Sequence, residues 1–350
     1  MAIDWHGSMR QSFELFEIDA GTWREVRRIG TVTEVKAVRD LDSDTIESAS
    51  IAVDEEVGEV YVRAYIVAEQ DGERESVPVG TWLVQTPTVN HDGKTSTRTL
   101  SAYSPLIELR DDMPPIGWTA QAGSSCVAAA AQAAAAHCRA PVSMPDDGTV
   151  LTESWTAEPD DTWLSVVAAL LDKAAMRLSV APDGTVGCEP VRDQAAVRPA
   201  RRYDDGNSSI LMPDVTDTTD WYGLPNVYEV VLSRDTGYLR AEAVNDDPSS
   251  PLSTVSRGRV VRVRDTEPEL PESPTQQDVD AYAERMLREQ SAREHSVTFS
   301  HGWDGGNVGD GVRLDYDRAG IHRDMVSIRQ TVNLSTGVTV DETASWKEVL

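Results

Sequence analysis

Cys126 is the one side chain whose setting suggests covalent chemistry. It ends the run Gln121-Ala-Gly-Ser-Ser-Cys126 and opens an alanine-rich stretch of helical composition. Cysteine hydrolases use such a placement because a helix N-terminus lowers the thiol pKa and a nearby amide steadies the oxyanion. The surroundings argue otherwise. Val and four alanines follow Cys126, the Trp and Gly that flank such a nucleophile are missing, and no downstream His has a matching context. A small residue in an Ala-rich helix accounts for Cys126, and no catalytic residue is assigned.

Metal chemistry is no better served. His6, His91, His137, His295, His301 and His322 are scattered and form neither His-x-x-x-His nor His-Glu-x-x-His. The segment from His301 to Asp310 (HGWDGGNVGD) has some features of a calcium loop, but it lacks the residue order of an EF-hand. A glycine-rich turn between strands explains it equally well. Cys126, Cys138 and Cys188 are an odd number without Cys-x-x-Cys spacing, which excludes a disulfide framework and a zinc knuckle. One helix would hold Cys126 and Cys138 about 18 Å apart, too far to bridge. No phosphate-binding glycine loop and no Gly-x-Ser-x-Gly occurs. Carboxylate pairs carry no information among 59 acidic residues. No cofactor is expected.

The 32 basic residues leave a net charge of −27, which repels nucleic acid and anionic membranes. The opening residues do not read as a signal peptide, and the uncharged run from Trp118 to His137 is too polar to span a bilayer.

The elements that would position these residues fall into three stretches. Residues 1–110 read as a first barrel-like β domain. Its strands are expected around Phe13, Leu15 and Ile18, over Thr31–Val38, Ser48–Val53 and Glu59–Val67, then Val77–Val84 after an Asp71-Gly72 turn, and Thr95–Ala102. Residues 111–202 read as an α+β module. One helix, capped by Ser124 or Ser125, runs to about Cys138; a second, capped by Asp161 or Thr162, carries Trp163, Val166, Val167, Leu170, Leu171 and Ala174 on one face. A hairpin turns at Pro182-Asp-Gly184. Residues 203–350 read as a second barrel-like β domain, with strands over Asn226–Ser233, Arg257–Arg264, His295–Ser300, Gly311–Tyr316, Met325–Leu334 and Val338–Thr343. A long helix is expected over residues 275–294, with Val279, Tyr282, Ala283, Met286 and Leu287 as its apolar stripe. The fold class is therefore α+β, mainly β.

Several stretches, taken in order, resemble the tail-tip or baseplate hub proteins of long-tailed phages, particularly the minor tail proteins of siphophages that infect actinobacteria. They are Val77-Pro-Val-Gly-Thr-Trp-Leu-Val-Gln-Thr-Pro87 with Gly80 and Trp82, Leu100 to Leu109, Asp161 to Leu171 with Trp163, and the Pro182 turn. Leu224-Pro-Asn-Val-Tyr-Glu-Val-Val231 with Pro225 and Asn226, the Asn245 to Pro251 loop, and Gly309-Asp-Gly-Val-Arg-Leu314 with Gly309 and Asp310 complete the set. The resemblance runs from about Gly80 to the C-terminus. It implies a non-enzymatic virion protein at the tail tip, made and assembled in the host cytoplasm. Hubs of this kind are homotrimers whose two related barrels per subunit adapt a six-fold tube to a three-fold tip. The implied partners are a distal tail or tail-tube protein, the C-terminus of the tape-measure protein, and a separate tail fibre or spike protein. DNA would pass through the lumen without specific binding. The rival readings are a tail-associated cell-wall hydrolase and a glycan- or receptor-binding tail module with its Trp residues as stacking platforms.

Overall fold

The computed structural model describes residues 3–93, 95–191, 197–206, 209–219, 221–234, 237–271, 273–291 and 293–348. The chain is mainly β and divides into two compact units. The first comprises residues 1–215 and 298–344, the second residues 216–297 and 345–350.

The first unit opens with β1 (Arg10–Ile18), β2 (Glu25–Arg28), β3 (Val32–Asp40), β4 (Glu47–Val53), β5 (Tyr61–Gln70), β6 (Glu73–Asp92) and β7 (Thr95–Tyr103). The expected strand at Glu59–Val67 is β5, and both of its faces are buried for separate reasons. Val62, Ala64 and Ile66 join the core inside the sheet, while Tyr61 packs in a second cluster with Ile18, Leu83 and Ile107. Asp71 and Gly72 both have positive φ, 52° and 86°, as a tight hairpin between β5 and β6 demands. β6 runs well past the expected Val77–Val84. Its first part pairs with β5 and its last part with β7, so ladder hydrogen bonds extend the strand through polar, exposed flanks.

Next comes a mixed module with its own core. It contains α1 (Leu106–Asp111), β8 (Thr119–Ala120), α2 (Cys126–His137), β9 (Val142–Ser143), β10 (Trp155–Thr156), α3 (Trp163–Asp172), β11 (Met176–Val180) and β12 (Val186–Pro190). Ser125 caps α2 by accepting from the Ala128 amide, and Thr162 caps α3 in a reciprocal box with Ser165. Both helices thus begin at expected positions.

The remaining elements are β13 (Pro199–Asp204), β14 (Leu211–Thr219), β15 (Val227–Arg234), β16 (Gly237–Val244), α4 (Thr254–Arg257), β17 (Arg262–Asp265), α5 (Gln276–Gln290), β18 (Arg293–Gly302), β19 (Gly311–Tyr316), β20 (Ile321–Leu334) and β21 (Val338–Glu348). The strand expected over Arg257–Arg264 begins only at Arg262. Ser253 caps the short α4, and Gly258 turns the chain out of it at φ 60°. The helix expected to reach residue 294 stops at Gln290, capped by Ser291, and Arg293 already opens β18.

The main sheet has the order β14-β18-β21-β20-β3-β4-β7-β6-β5-β1-β2, with β19 on β20 and β13 on β19. β20 pairs antiparallel with β3, so strands from both ends of the sequence share one sheet. The barrels expected at either end are not closed among the described residues; the path is open, with β14 and β2 at its ends. Leu15, Val35, Ile51, Ile66, Trp82, Leu100, Val332 and Val340 belong to one core inside the first unit's sheet. In the second unit, β16-β15-β17 form a small sheet whose Tyr228, Val230, Ala241 and Ala243 pack on Val279, Tyr282, Ala283 and Leu287 of α5.

Candidate functional site

A network of ionisable and polar side chains, several of them buried, lies in the first unit. Arg201 and Tyr203 come from β13, His301 from β18, Glu342 from β21, and Asp304, Asn307 and Asp310 from the loop before β19. Arg201 donates from Nη1 to Glu342 Oε2 at 2.9 Å and from Nη2 to Oε1 at 2.7 Å. His301 Nε2 lies 2.8 Å from Glu342 Oε2. Tyr203 donates to Asp304 Oδ2 at 2.5 Å. Burial pushes the Glu342 carboxyl up, but the His301 contact and the Arg201 charge outweigh it and hold the pKa at about 2. The same carboxylate raises Arg201 against the opposing effect of burial.

A second buried pair adjoins the loop. Arg39 Nε lies 3.3 Å from Glu47 Oε1. Arg39 also donates to Asn307 Oδ1 at 2.6 Å and to Val79 O at 2.6 Å. Glu47 Oε2 is buried without a hydrogen-bond partner. Burial pushes Glu47 up to about 7 despite the Arg39 charge.

The His301–Asp310 loop, calcium-like in its sequence, presents its carboxylates to Arg201. The cation among its carboxylates is a guanidinium: Arg201 lies 3.7 Å from Asp304 and 3.8 Å from Asp310. Gly306 lets it in, since a Cβ there would sit 2.2 Å from Arg201 Cζ. No group of three His, Cys, Asp or Glu among the described residues is arranged for a metal. Opposed charges from β13, β18 and β21 thus clamp these strands to the loop before β19.

Cys126 is buried at the first turn of α2, and burial raises its pKa, the reverse of what a thiolate nucleophile needs. His137, at the far end of that helix, bonds Asp112 at 2.8 Å. Burial also lifts Cys138, to about 12, and all three cysteines are free thiols.

Gly80 and Trp82 lie against each other on β6. A Cβ on Gly80 would lie 2.1 Å from Trp82 Cζ2, so the buried indole folds back over Gly80 on β6. The Pro182–Gly184 turn docks beside it: Thr81 Oγ1 donates to Pro182 O at 3.0 Å, while Arg63 and Trp23 donate to Asp183 O at 2.6 and 2.8 Å. Trp163 opens α3, buried, with the His137 ring stacked on it at 4.0 Å. Gly309, at φ 87°, donates its amide to Ser327 O at 2.7 Å, and Asp310 accepts from the Asn307 amide at 2.8 Å. In the second unit Pro225 O accepts from Ser291 Oγ at 2.9 Å, and the side chain of Asn226 bonds three backbone groups. Gly80, Trp82, Trp163, Gly309 and Asp310 thus belong to the first unit, while Pro225 and Asn226 belong to the second.

Sequence reading missed the ionic network and one surface feature. Arg240, Arg262 and Arg264 converge on the buried Glu229, on the face of the small sheet opposite α5. The alternation Arg262-Val-Arg264 carried that signal.

No family model and no curated protein matches the sequence. Solved structures do match the fold. A tail protein from Neisseria meningitidis MC58 superposes with a TM-score of 0.66 at 14% identity, covering 97% of each chain. The 43 kDa tail protein of prophage MuSo2 from Shewanella oneidensis gives 0.62 at 13% identity, over 95% of this chain and 97% of that one. A chain of the Francisella PdpA-VgrG complex gives 0.59 at 5% identity; it covers 98% of this chain, which spans 53% of that longer one. At these identities the likeness is one of fold, and it extends over nearly the whole chain.

Proposed function

We propose that this chain is a structural subunit of a phage tail, and specifically the hub of the tail tip: a homotrimer with two barrel-like β modules per subunit that adapts the six-fold tube above to a three-fold tip below. The observation that carries this reading is the end-to-end fold likeness to two tail proteins, each covered over 97% of its own length. The motif positions support it, because each one packs a strand or fixes a loop and none faces a reacting centre. The domains 1–110, 111–202 and 203–350 are then the first barrel-like module, an insert and the second module. The tube protein, the tape-measure C-terminus and a separate fibre or spike are its neighbours, and the site of action is the virion tail tip. Three copies, each at −27, line a lumen that DNA crosses without adhering.

Mass photometry of the purified chain tests the ring, with cryo-EM of the particles formed. The expected species has three times the 38.3 kDa of one chain and an axial opening. A monomer that stays monomeric beside the tube protein overturns the hub assignment. A ring whose channel wall is neutral or basic overturns the account of the charge.

A further inference from the structure

We infer that the surface of the mixed module around Trp118 and Trp155 is a binding site for a neutral glycan chain. β8 and β10 form a two-residue ribbon there, pairing Trp155 with Ala120 and Thr156 with Thr119. The half-buried rings of Trp118 and Trp155 meet edge to face, with centroids 6.4 Å apart. Each strand of the ribbon lines a hollow. One, of about 330 Å³, lies between Trp118 and the alanine-rich face of α2 and includes Gln121, Gln132 and His137. The other, of about 360 Å³, is lined by Trp155 with Thr152, Glu153 and Lys173. Both volumes fall in the ~300–1,000 Å³ range of small-molecule sites.

The chemistry of the lining selects the ligand. A pyranose ring offers a C–H face to an indole and a rim of hydroxyls to amides, and each hollow pairs an aromatic wall with such polar groups. Gln121, Gln132 and Thr152 are exposed, and among the described residues their side chains make no internal hydrogen bond, so both donors and acceptors are available. The wall is prepared in advance: His137 is fixed by Asp112 at 2.8 Å and stacked on Trp163, which Trp118 meets edge to face at 5.3 Å. Two adjoining hollows suit a chain of sugar units. The net charge of −27 disfavours nucleic acids and acidic saccharides, and in the second hollow Lys173, 5.9 Å from the Trp155 ring centroid, stands with Glu153 among the lining residues. Ala129, Ala133 and Ala136 line the first hollow with methyl groups alone, beside its polar Gln121, Gln132 and Ser124.

The test is a titration of the full chain with cellohexaose, maltohexaose or chitohexaose, followed by tryptophan emission and by saturation-transfer NMR on the sugar. The expected result is saturable binding of at least one oligomer, weakened about tenfold or more by Trp118→Ala and by Trp155→Ala. Trp118 also packs on Trp163, so the exposed pair Gln121→Ala/Gln132→Ala is tested beside it; this variant keeps the far-UV circular dichroism of the parent and loses binding equally. The inference is overturned if no oligomer binds up to about 10 mM, well beyond the ~1 mM range of weak specific sites. It is equally overturned if the glutamine pair and both tryptophan variants keep binding, or if only an acidic polymer such as polygalacturonate binds. The readout does not depend on oligomeric state, so failure here leaves the ring untouched, and a monomeric chain leaves the glycan site open to the same test.

Discussion

Arg201 grips Glu342 with two parallel hydrogen bonds, of 2.9 and 2.7 Å, across the strands β13 and β21. The carboxylate is wholly buried and the guanidinium nearly so, at 0% and 10% side-chain exposure. Removing one partner leaves Arg201 with only its longer contacts to Asp304 and Asp310, or Glu342 with His301 alone, a loss of up to about 3–5 kcal/mol. Glu342→Ala and Arg201→Ala are each expected to lose that much in urea unfolding. The double replacement Arg201→Met/Glu342→Leu, which removes both charges and keeps the volume apolar, is expected to lose much less than the sum of the two. Additive losses would show that the two side chains do not act as a pair.

The two buried carboxyls predict opposite pH responses. Glu342 is held near 2, below its ordinary 4.5. Its contribution is complete above about 4.5 and is lost as pH falls through about 2. Glu47 is raised to about 7, so its effect is complete below 4.5 and is lost as pH rises through about 7. Urea midpoints of the parent should therefore decline on both sides of a maximum near 4.5. Glu47→Gln is expected to flatten the decline between 4.5 and 7 and leave the acid limb in place. Glu342→Gln is expected to do the converse.

This network explains what could be read from the sequence and what could not. Apolar alternation located β3, β4 and β21 because it reflects which face is buried. The charges occupy that same inward register. Arg39 follows the buried Val35 and Ala37, Glu47 precedes Ala49, Ile51 and Val53, and Glu342 stands between Val340 and Ala344. His301 likewise follows Val297 and Phe299. A charged residue at an inward position was thus a legible signal of a buried pair. Partner choice was not legible, since Arg39 reaches Asn307 and Arg201 reaches Glu342 only after distant strands meet in one sheet. β16 escaped notice for a related reason: of Tyr238, Arg240, Glu242 and Val244 on its outer face none is buried, and its inner face offers two alanines where a strand usually shows branched side chains. At Cys126 the structure adds what spacing alone cannot report, a burial that keeps the thiol protonated.

Gly80 and Gly184 predict a shared effect on one contact. A methyl on Gly80 would press into the Trp82 indole at 2.1 Å. A methyl on Gly184 would meet Trp23 Cζ2 at 2.7 Å and Thr81 Cβ at 2.9 Å, on a residue with φ 82°. Gly80→Ala is expected to cost about 1–3 kcal/mol of stability through overpacking. Gly184→Ala is expected to cost a similar amount and to free the turn from Arg63 and Trp23. Limited proteolysis should then cut near residues 181–185 in the variant and spare the parent. Equal protection in both would mean that the docked turn adds nothing to local stability.

Asn226 predicts the loss of a loop rather than of a core. It is fully buried and holds three backbone groups by its side chain. Nδ2 donates to Leu252 O at 3.1 Å and Arg259 O at 2.9 Å, and Oδ1 accepts from the Val261 amide at 2.8 Å. Its own backbone carbonyl accepts from the Asn245 amide at 2.9 Å, which ties the start of the same loop. Asn226→Ala leaves two carbonyls and one amide without partners, each at about 1–3 kcal/mol where no water replaces the bond. Asn226→Asp keeps the acceptor for Val261 but turns both donations into repulsions between oxygens. The aspartate variant should therefore be the less stable of the two, although it differs from the parent by one group. Hydrogen exchange measures this: the Val261 amide is expected to be fastest in Asn226→Ala, which has lost its acceptor, and the Asn245 amide fastest in Asn226→Asp. Unchanged exchange at Val261 would show that the loop is held from elsewhere.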